Sequence, residues 1–288
     1  MNYESVFDDY IETHNLSNDT FVVDTFIKDI GYLNFFNDIT RRCLGEIKSA
    51  KREPTKTSGA LVYMPDAVKD KLVHGFDVLY VTQLYYGIIA KGDMKFNYPN
   101  YEQFLRELVA LRIELKKRYA ESKDGNDALK NILIKIYMNI IYGMLDKPES
   151  LVHSQIENPR EFVIETSKKV MLTLVSFFLN KSMPIYYMDT DEIFVPHMDS
   201  KTKVDLTAFF EKECREYIDT TLSTVTVDDN ERNMCAYILA KKKLIRAPSH
   251  GSKVQGLDIV NNDTTLLQNK KFFGRNYKDV FPEYALWA

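Results

Sequence analysis

Two carboxylates one residue apart, Asp189 and Asp191, stand at the middle of the run Pro184–Val195, PIYYMDTDEIFV. Apolar, β-prone residues flank them on both sides, the pattern of a hairpin with an acidic turn. Like charges held that close repel one another unless something positive sits beside them. A hard divalent cation such as Mg²⁺ suits the place, because it takes oxygen ligands and needs few from protein. A solvated polar turn also fits an isolated Asp-x-Asp. A second set of polar residues, Asn131, Lys135, Asn139 and Tyr142, recurs at steps that put all four on one face of a helix. Solvated helix faces prefer Glu and Lys in mixed-sign pairs, whereas Lys followed one turn later by Asn suits a phosphate and a polar neighbour. A packing helix with a few polar exceptions is the other reading of this face.

The elements that must carry these residues are legible from periodicity. Ile132, Leu133, Ile136, Ile140 and Ile141 fill the remaining faces of the helix around Lys135. Upstream, Phe104, Leu105, Leu108, Leu111 and Leu115 recur with helical spacing over 101–119, with Arg112 and Lys116 four apart. The turn-rich stretch 122–127 separates the two segments, which predicts an antiparallel helix pair. Farther upstream, within Leu72–Tyr85, Asp77 stands at the end of a β-prone run. Downstream, Lys241, Lys242 and Lys243 follow an apolar run.

Composition bounds the rest. A chain of 288 residues allows one large or two small domains. No apolar run approaches the roughly 18 residues of a membrane span. The most apolar stretch, Val170–Leu179, is short and follows Lys168 and Lys169. The N-terminus is acidic and has no signal-peptide pattern. Cys43, Cys214 and Cys235 lack metal-ligand spacing and point to a reducing compartment. The five histidines show no zinc pattern. A net charge of −3 does not exclude nucleic acid, because a local basic stripe can bind it on an acidic molecule. The basic residues concentrate in 112–118, 241–246 and 270–275.

Taken together and in order, these segments resemble the motifs of family B DNA polymerases. Tyr187-Met188-Asp189-Thr190-Asp191-Glu192 resembles that family's Tyr-Gly-Asp-Thr-Asp-Ser hairpin, with Met188 for Gly and Glu192 for Ser. Lys135 to Gly143 resembles Lys-x-x-x-Asn-Ser-x-Tyr-Gly of the fingers, with Ile140 for Ser. Ser58–Pro65 and the segment from Asp77 are similar to Gly-Gly-x-Val-x-x-Pro followed by Asp-x-x-Ser-Leu-Tyr-Pro-Ser. Ungapped from Asp77, Thr82 stands at the tyrosine that excludes a ribose 2′-hydroxyl. Matching Leu84-Tyr85 to Leu-Tyr instead keeps Tyr85 there and requires three inserted residues. Lys241–Leu244 resembles Lys-Lys-x-Tyr, and the strand at 253–263 resembles the one leading to the thumb.

The resemblance implies an α+β fold, a palm of antiparallel sheet and packed helices with a two-helix fingers subdomain. It implies N-terminal connector helices over 1–57, a first palm part over 58–95, fingers over 96–147, palm with the hairpin over 148–260, and a thumb start or partner-binding tail over 261–288. The helix-like segment from Phe21 is similar to the last exonuclease motif, with Thr20 where tyrosine is expected. Asp77, Asp189 and Asp191 would hold two Mg²⁺ ions and be catalytic. Arg112, Lys116, Lys135, Asn139, Thr82 and Tyr142 would bind a dNTP, and Gly143, Lys241, Lys242 and Lys243 would contact primer–template DNA. The implied function is template-directed transfer of nucleotides to a primer 3′-hydroxyl, in a split viral or phage polymerase whose exonuclease and thumb come from other chains. The host cytoplasm or nucleus is the implied setting. The alternative is a non-catalytic polymerase-fold subunit acting as a scaffold. The aromatic tail Phe272, Phe273, Phe281, Tyr284, Leu286 and Trp287, and Tyr32, Leu33, Phe35 and Phe36, are expected at partner interfaces.

Overall fold

The computed structural model describes residues 2–45, 58–69, 71–227, 235–240 and 243–247. In chain order these form α1 (Tyr3–Thr13), α2 (Val23–Ile30), α3 (Tyr32–Leu44), β1 (Val62–Tyr63), β2 (Lys71–His74), β3 (Phe76–Val81), α4 (Leu84–Ile89), α5 (Tyr101–Ser122), α6 (Gly125–Met144), α7 (Pro159–Asn180), β4 (Tyr187–Asp189), β5 (Glu192–Pro196), α8 (Ser200–Glu213), β6 (Val225–Val227), β7 (Cys235–Ala240) and β8 (Lys243–Ala247). The fold is α+β, and every strand pairing is antiparallel. Residues 248–288, with the aromatic tail and the strand at 253–263, lie outside the described residues, as do Lys241 and Lys242.

Two compact units make up the chain. One joins Met1–Gly59, Gln83–Ser167 and Tyr217–Leu222; the other joins Ala60–Thr82, Lys168–Glu216 and Ser223–Ala288. The first unit is helical. Its centre is the α5–α6 pair, turned by the two residues Lys123 and Asp124. Lys123 takes the left-handed conformation at φ 58°, and the Asp124 side chain caps α6 by accepting from Asn126 N at 2.9 Å. Against this pair pack α1 and α3. Phe36 stacks on the buried Tyr137 ring at 4.9 Å, and the Thr40 hydroxyl lies 2.9 Å from the Tyr137 hydroxyl. Gly31, at φ +84°, breaks the helix-like segment from Phe21 into α2 and α3, a backbone angle that a side chain would strain. Of the four residues expected at an interface here, Phe35 and Phe36 are instead buried in the core, and Tyr32 is exposed.

An ion network ties α1 to the turn end of the helix pair. Arg118 grips Glu4 (2.5 and 3.1 Å) and Asp127 (2.6 and 3.0 Å) in two bidentate pairs. Lys130, 6% exposed, adds contacts to Glu4 at 2.6 Å and Asp8 at 3.1 Å. Hydrogen bonding from Arg118, against some desolvation and with help from Lys130, lowers the Glu4 carboxyl from 4.5 to about 2. A folded-state value below the unfolded one stabilises the fold above the unfolded value, and that stability is lost as pH falls through the folded one. The window is therefore from about 4.5 down to about 2. Urea midpoints measured between neutral pH and about pH 3 should fall steeply for the native chain and less for Glu4→Gln. Parallel curves for the two would contradict this network.

The second unit holds both sheets, one five-stranded in the order β1-β4-β5-β3-β6 and one three-stranded in the order β2-β7-β8. Phe76, Val78, Tyr187, Phe194, Ala236 and Ile238 form one buried cluster, so the sheets share a core. Gly75, at φ +66°, makes the abrupt step between β2 and β3. Asp77 does not end its strand: it is the second residue of β3, which runs on to Val81 before Gln83 turns left-handed at φ 60° and α4 begins at Leu84.

Candidate functional site

The acidic hairpin forms as expected. Asp189 pairs with Glu192 across β4 and β5, leaving Thr190 and Asp191 as a two-residue turn with Thr190 at φ +57°. Three bonds fix this tip. Thr190 N donates to Leu61 O at 3.0 Å, Val81 N donates to Asp191 O at 2.8 Å, and Thr190 Oγ1 donates to Asp189 Oδ1 at 2.8 Å. The Asp191 carboxyl is raised above its ordinary value. Loss of hydration is the main cause, its own backbone partly offsets it, and the charge of Asp189 adds to it. A carboxyl raised partly by the charge of a neighbouring carboxylate marks a place that gains from a cation.

The third carboxylate assigned from the sequence is not there. Directly opposed residues share a face of a sheet, and successive residues alternate faces. Asp189, Glu192 and Tyr80 form one row in register across β4, β5 and β3. Asp77 pairs with Val195, three residues along β3 from Tyr80. It therefore points to the opposite face and sits roughly 10 Å down the strand. Its carboxylate, 2% exposed, is engaged elsewhere. Oδ1 lies 2.7 Å from His197 Nδ1, and Oδ2 accepts from Met198 N at 3.0 Å and lies 3.6 Å from Lys203 Nζ on α8. Asp77 is thus a packing and charge anchor for α8. A two-ion site of Asp77, Asp189 and Asp191 does not fit these residues. Among the described residues, no three His, Cys, Asp or Glu side chains are grouped to hold a metal ion.

The helix pair gathers the expected cations in the first unit. Lys135 and Asn139 are exposed on one face of α6, with Asn131 and Tyr142 half-buried beside them. Arg112 Nε donates to Asn131 Oδ1 at 3.2 Å. Lys116 is held below its ordinary value by desolvation, then by the positive charges of Arg112 and Lys135. None of the three cations forms an ion pair with a carboxylate among the described residues. That contrasts with Arg118 and Lys130 on the same two helices. Gly143 faces open space, since a Cβ there would meet nothing within 4 Å.

Two tyrosines join this cluster that spacing alone did not assign. Tyr86 on α4 hydrogen-bonds Arg112, and burial pushes its hydroxyl up to about 12 against the pull of that guanidinium. Tyr85 packs its ring 4.7 Å from that of Tyr142, and the Arg160 guanidinium lies 5.1 Å over the Tyr142 ring. The only signal for Tyr85 was the gapped match of Leu84-Tyr85, which agrees with α4 starting at Leu84. Thr82 belongs to the other unit, where its hydroxyl and amide bind the Thr224 backbone. Lys243 opens β8, antiparallel to β7.

No family model matches the sequence, and no curated protein matches it. Among solved structures, the family B DNA polymerase from the hyperthermophilic archaeon Pyrobaculum calidifontis is similar in fold. The TM-score is 0.55 at 18% identity, over 77% of this chain. The chain spans 32% of the length of that polymerase. The architecture is thus polymerase-like, an α+β fold with a palm-like antiparallel sheet. No described helix is long and apolar enough to cross a membrane.

Proposed function

We propose that this chain binds the phosphates of a nucleoside triphosphate on its α5–α6 pair and primer–template DNA on its palm-like unit, as palm and fingers of a family B-like DNA polymerase. The observation that carries this reading is the uncompensated cluster of Arg112, Lys116 and Lys135. Lys116 is held below its ordinary value by desolvation and by the charges of Arg112 and Lys135, and none of the three pairs with a carboxylate among the described residues. A triphosphate supplies the negative charge, with Arg suited to bidentate contact and Lys to a point contact. Asn139, exposed one turn after Lys135, offers a polar neighbour to the phosphates.

Two readings of the chemistry follow from the carboxylates. Transfer to a primer 3′-hydroxyl is favoured by the Asp189–Asp191 pair. A subunit that holds nucleotide and DNA without transfer is favoured by the engagement of Asp77 on the other face. The second accords better with the geometry, because transfer by two cations needs more ligands than the hairpin brings together.

Equilibrium titration of a labelled dNTP and, separately, of a labelled primer–template tests the binding assignment. Lys135→Ala should weaken dNTP binding by roughly tenfold or more, the scale of one charge-assisted hydrogen bond. DNA affinity without nucleotide should stay the same. The reverse pattern would mean that α6 is a DNA-binding helix and the triphosphate assignment is wrong.

A further inference from the structure

We infer that Tyr80 occupies the place from which a third carboxylate would face the Asp189–Asp191 hairpin, and that a carboxylate there would turn an incomplete cation site into a complete one. The inference rests on the polymerase-like reading above. The row Val62, Asp189, Glu192, Tyr80 and Thr226 runs across β1, β4, β5, β3 and β6 in continuous register. Tyr80 is the residue of β3 in the same row and on the same face as Asp189, separated from it by one strand. The next residue, Val81, holds the Asp191 backbone through its amide. The backbone is thus fixed on both sides of the tip, and Tyr80 brings a phenol to the row in which Asp189 and Glu192 bring carboxylates.

The motif supports the same position. Aligning Leu84-Tyr85 with Leu-Tyr of Asp-x-x-Ser-Leu-Tyr places Tyr80 at the Asp and Gln83 at the Ser. The three-residue shift between the two alignments is the offset from Asp77 to Tyr80. The start of α4 at Leu84 and the face occupied by Asp77 agree with this alignment. A phenol at neutral pH is a poor ligand for a hard cation, because its oxygen stays protonated. Glu192, in the same row, does not complete a three-group site with the two aspartates.

Mn²⁺ binding, followed by electron paramagnetic resonance without nucleotide or DNA, reads the site directly. Tyr80→Asp should bind Mn²⁺ roughly tenfold or more tighter than the native chain, at least the effect of a supporting ligand. Tyr80→Asn removes the ring without adding charge and should leave Mn²⁺ affinity as it is. Tyr80→Asp should also extend a primer where the native chain does not. Equal Mn²⁺ affinity in folded native and Tyr80→Asp chains would overturn the inference. Tyr80 borders the buried core, so Tyr80→Asp may be replaced by Tyr80→Glu if it unfolds. Primer extension by the native chain in Mg²⁺ overturns it without any variant. Failure of the polymerase-like reading has a separate sign, the absence of triphosphate binding by the native chain.

Discussion

Asp77→Ala is expected to destabilise the palm-like unit by about 3–5 kcal/mol, the usual cost of removing one partner from a buried charge pair. The carboxylate is 2% exposed and bonded to His197 and the Met198 amide. Its loss leaves that amide without its acceptor and takes one carboxylate away from Lys203, 19% exposed. His197 is 42% exposed and can turn to water, so the amide carries most of the cost. Asp77→Asn retains an acceptor for Met198 N and should cost less. Urea unfolding of the three chains measures this. A stable Asp77→Ala chain that had lost only divalent-cation binding would return Asp77 to the metal site.

Replacing Arg112, Lys116 and Lys135 together by alanine is expected to weaken triphosphate binding by roughly 1,000-fold or more. Hydrogen bonds to charged groups contribute about 1.5–3 kcal/mol each, and three on one ligand share their effect rather than adding in full. Lys116→Ala and Lys135→Ala without the Arg112 change should be as stable as the native chain or more so, because they remove mutual repulsion and no ion pair among the described residues, whereas Arg112 also bonds Asn131 and Tyr86. Stability and binding therefore move in opposite directions, as expected of residues kept for a ligand. In Lys135→Ala, the Lys116 pKa should rise, since one of the charges depressing it is gone. A double lysine variant that unfolds easily would mark the lysines as structural.

Much of this architecture can be read in the chain. The hairpin was legible because β-prone residues on both sides leave Thr190 and Asp191 nothing to be but a turn. The α5–α6 pair was legible because leucine and isoleucine recur at helical spacing on both sides of a polar break. The side of the sheet that Asp77 faces was not. Parity along β3 depends on which residue opposes the hairpin tip, and that register is set by Val81 and Asp191, a long-range pairing with no local signature. The identity of Asp77 as an anchor for α8 was hidden for the same reason. Its partners His197, Met198 and Lys203 are 120 or more residues away in sequence. Tyr86 was hidden because a tyrosine at a helix start reads as packing until Arg112 is seen beside it.

If the α5–α6 pair recognises the phosphates of a nucleotide, affinity must follow the number of phosphates. Affinity of the native chain should be measured for one deoxynucleoside as its mono-, di- and triphosphate, at fixed ionic strength. Three cations facing one ligand predict a rise at each step, amounting to roughly 100-fold or more from mono- to triphosphate. The rise should disappear in the triple alanine variant. Equal affinity for mono- and triphosphate in the native chain would contradict the account.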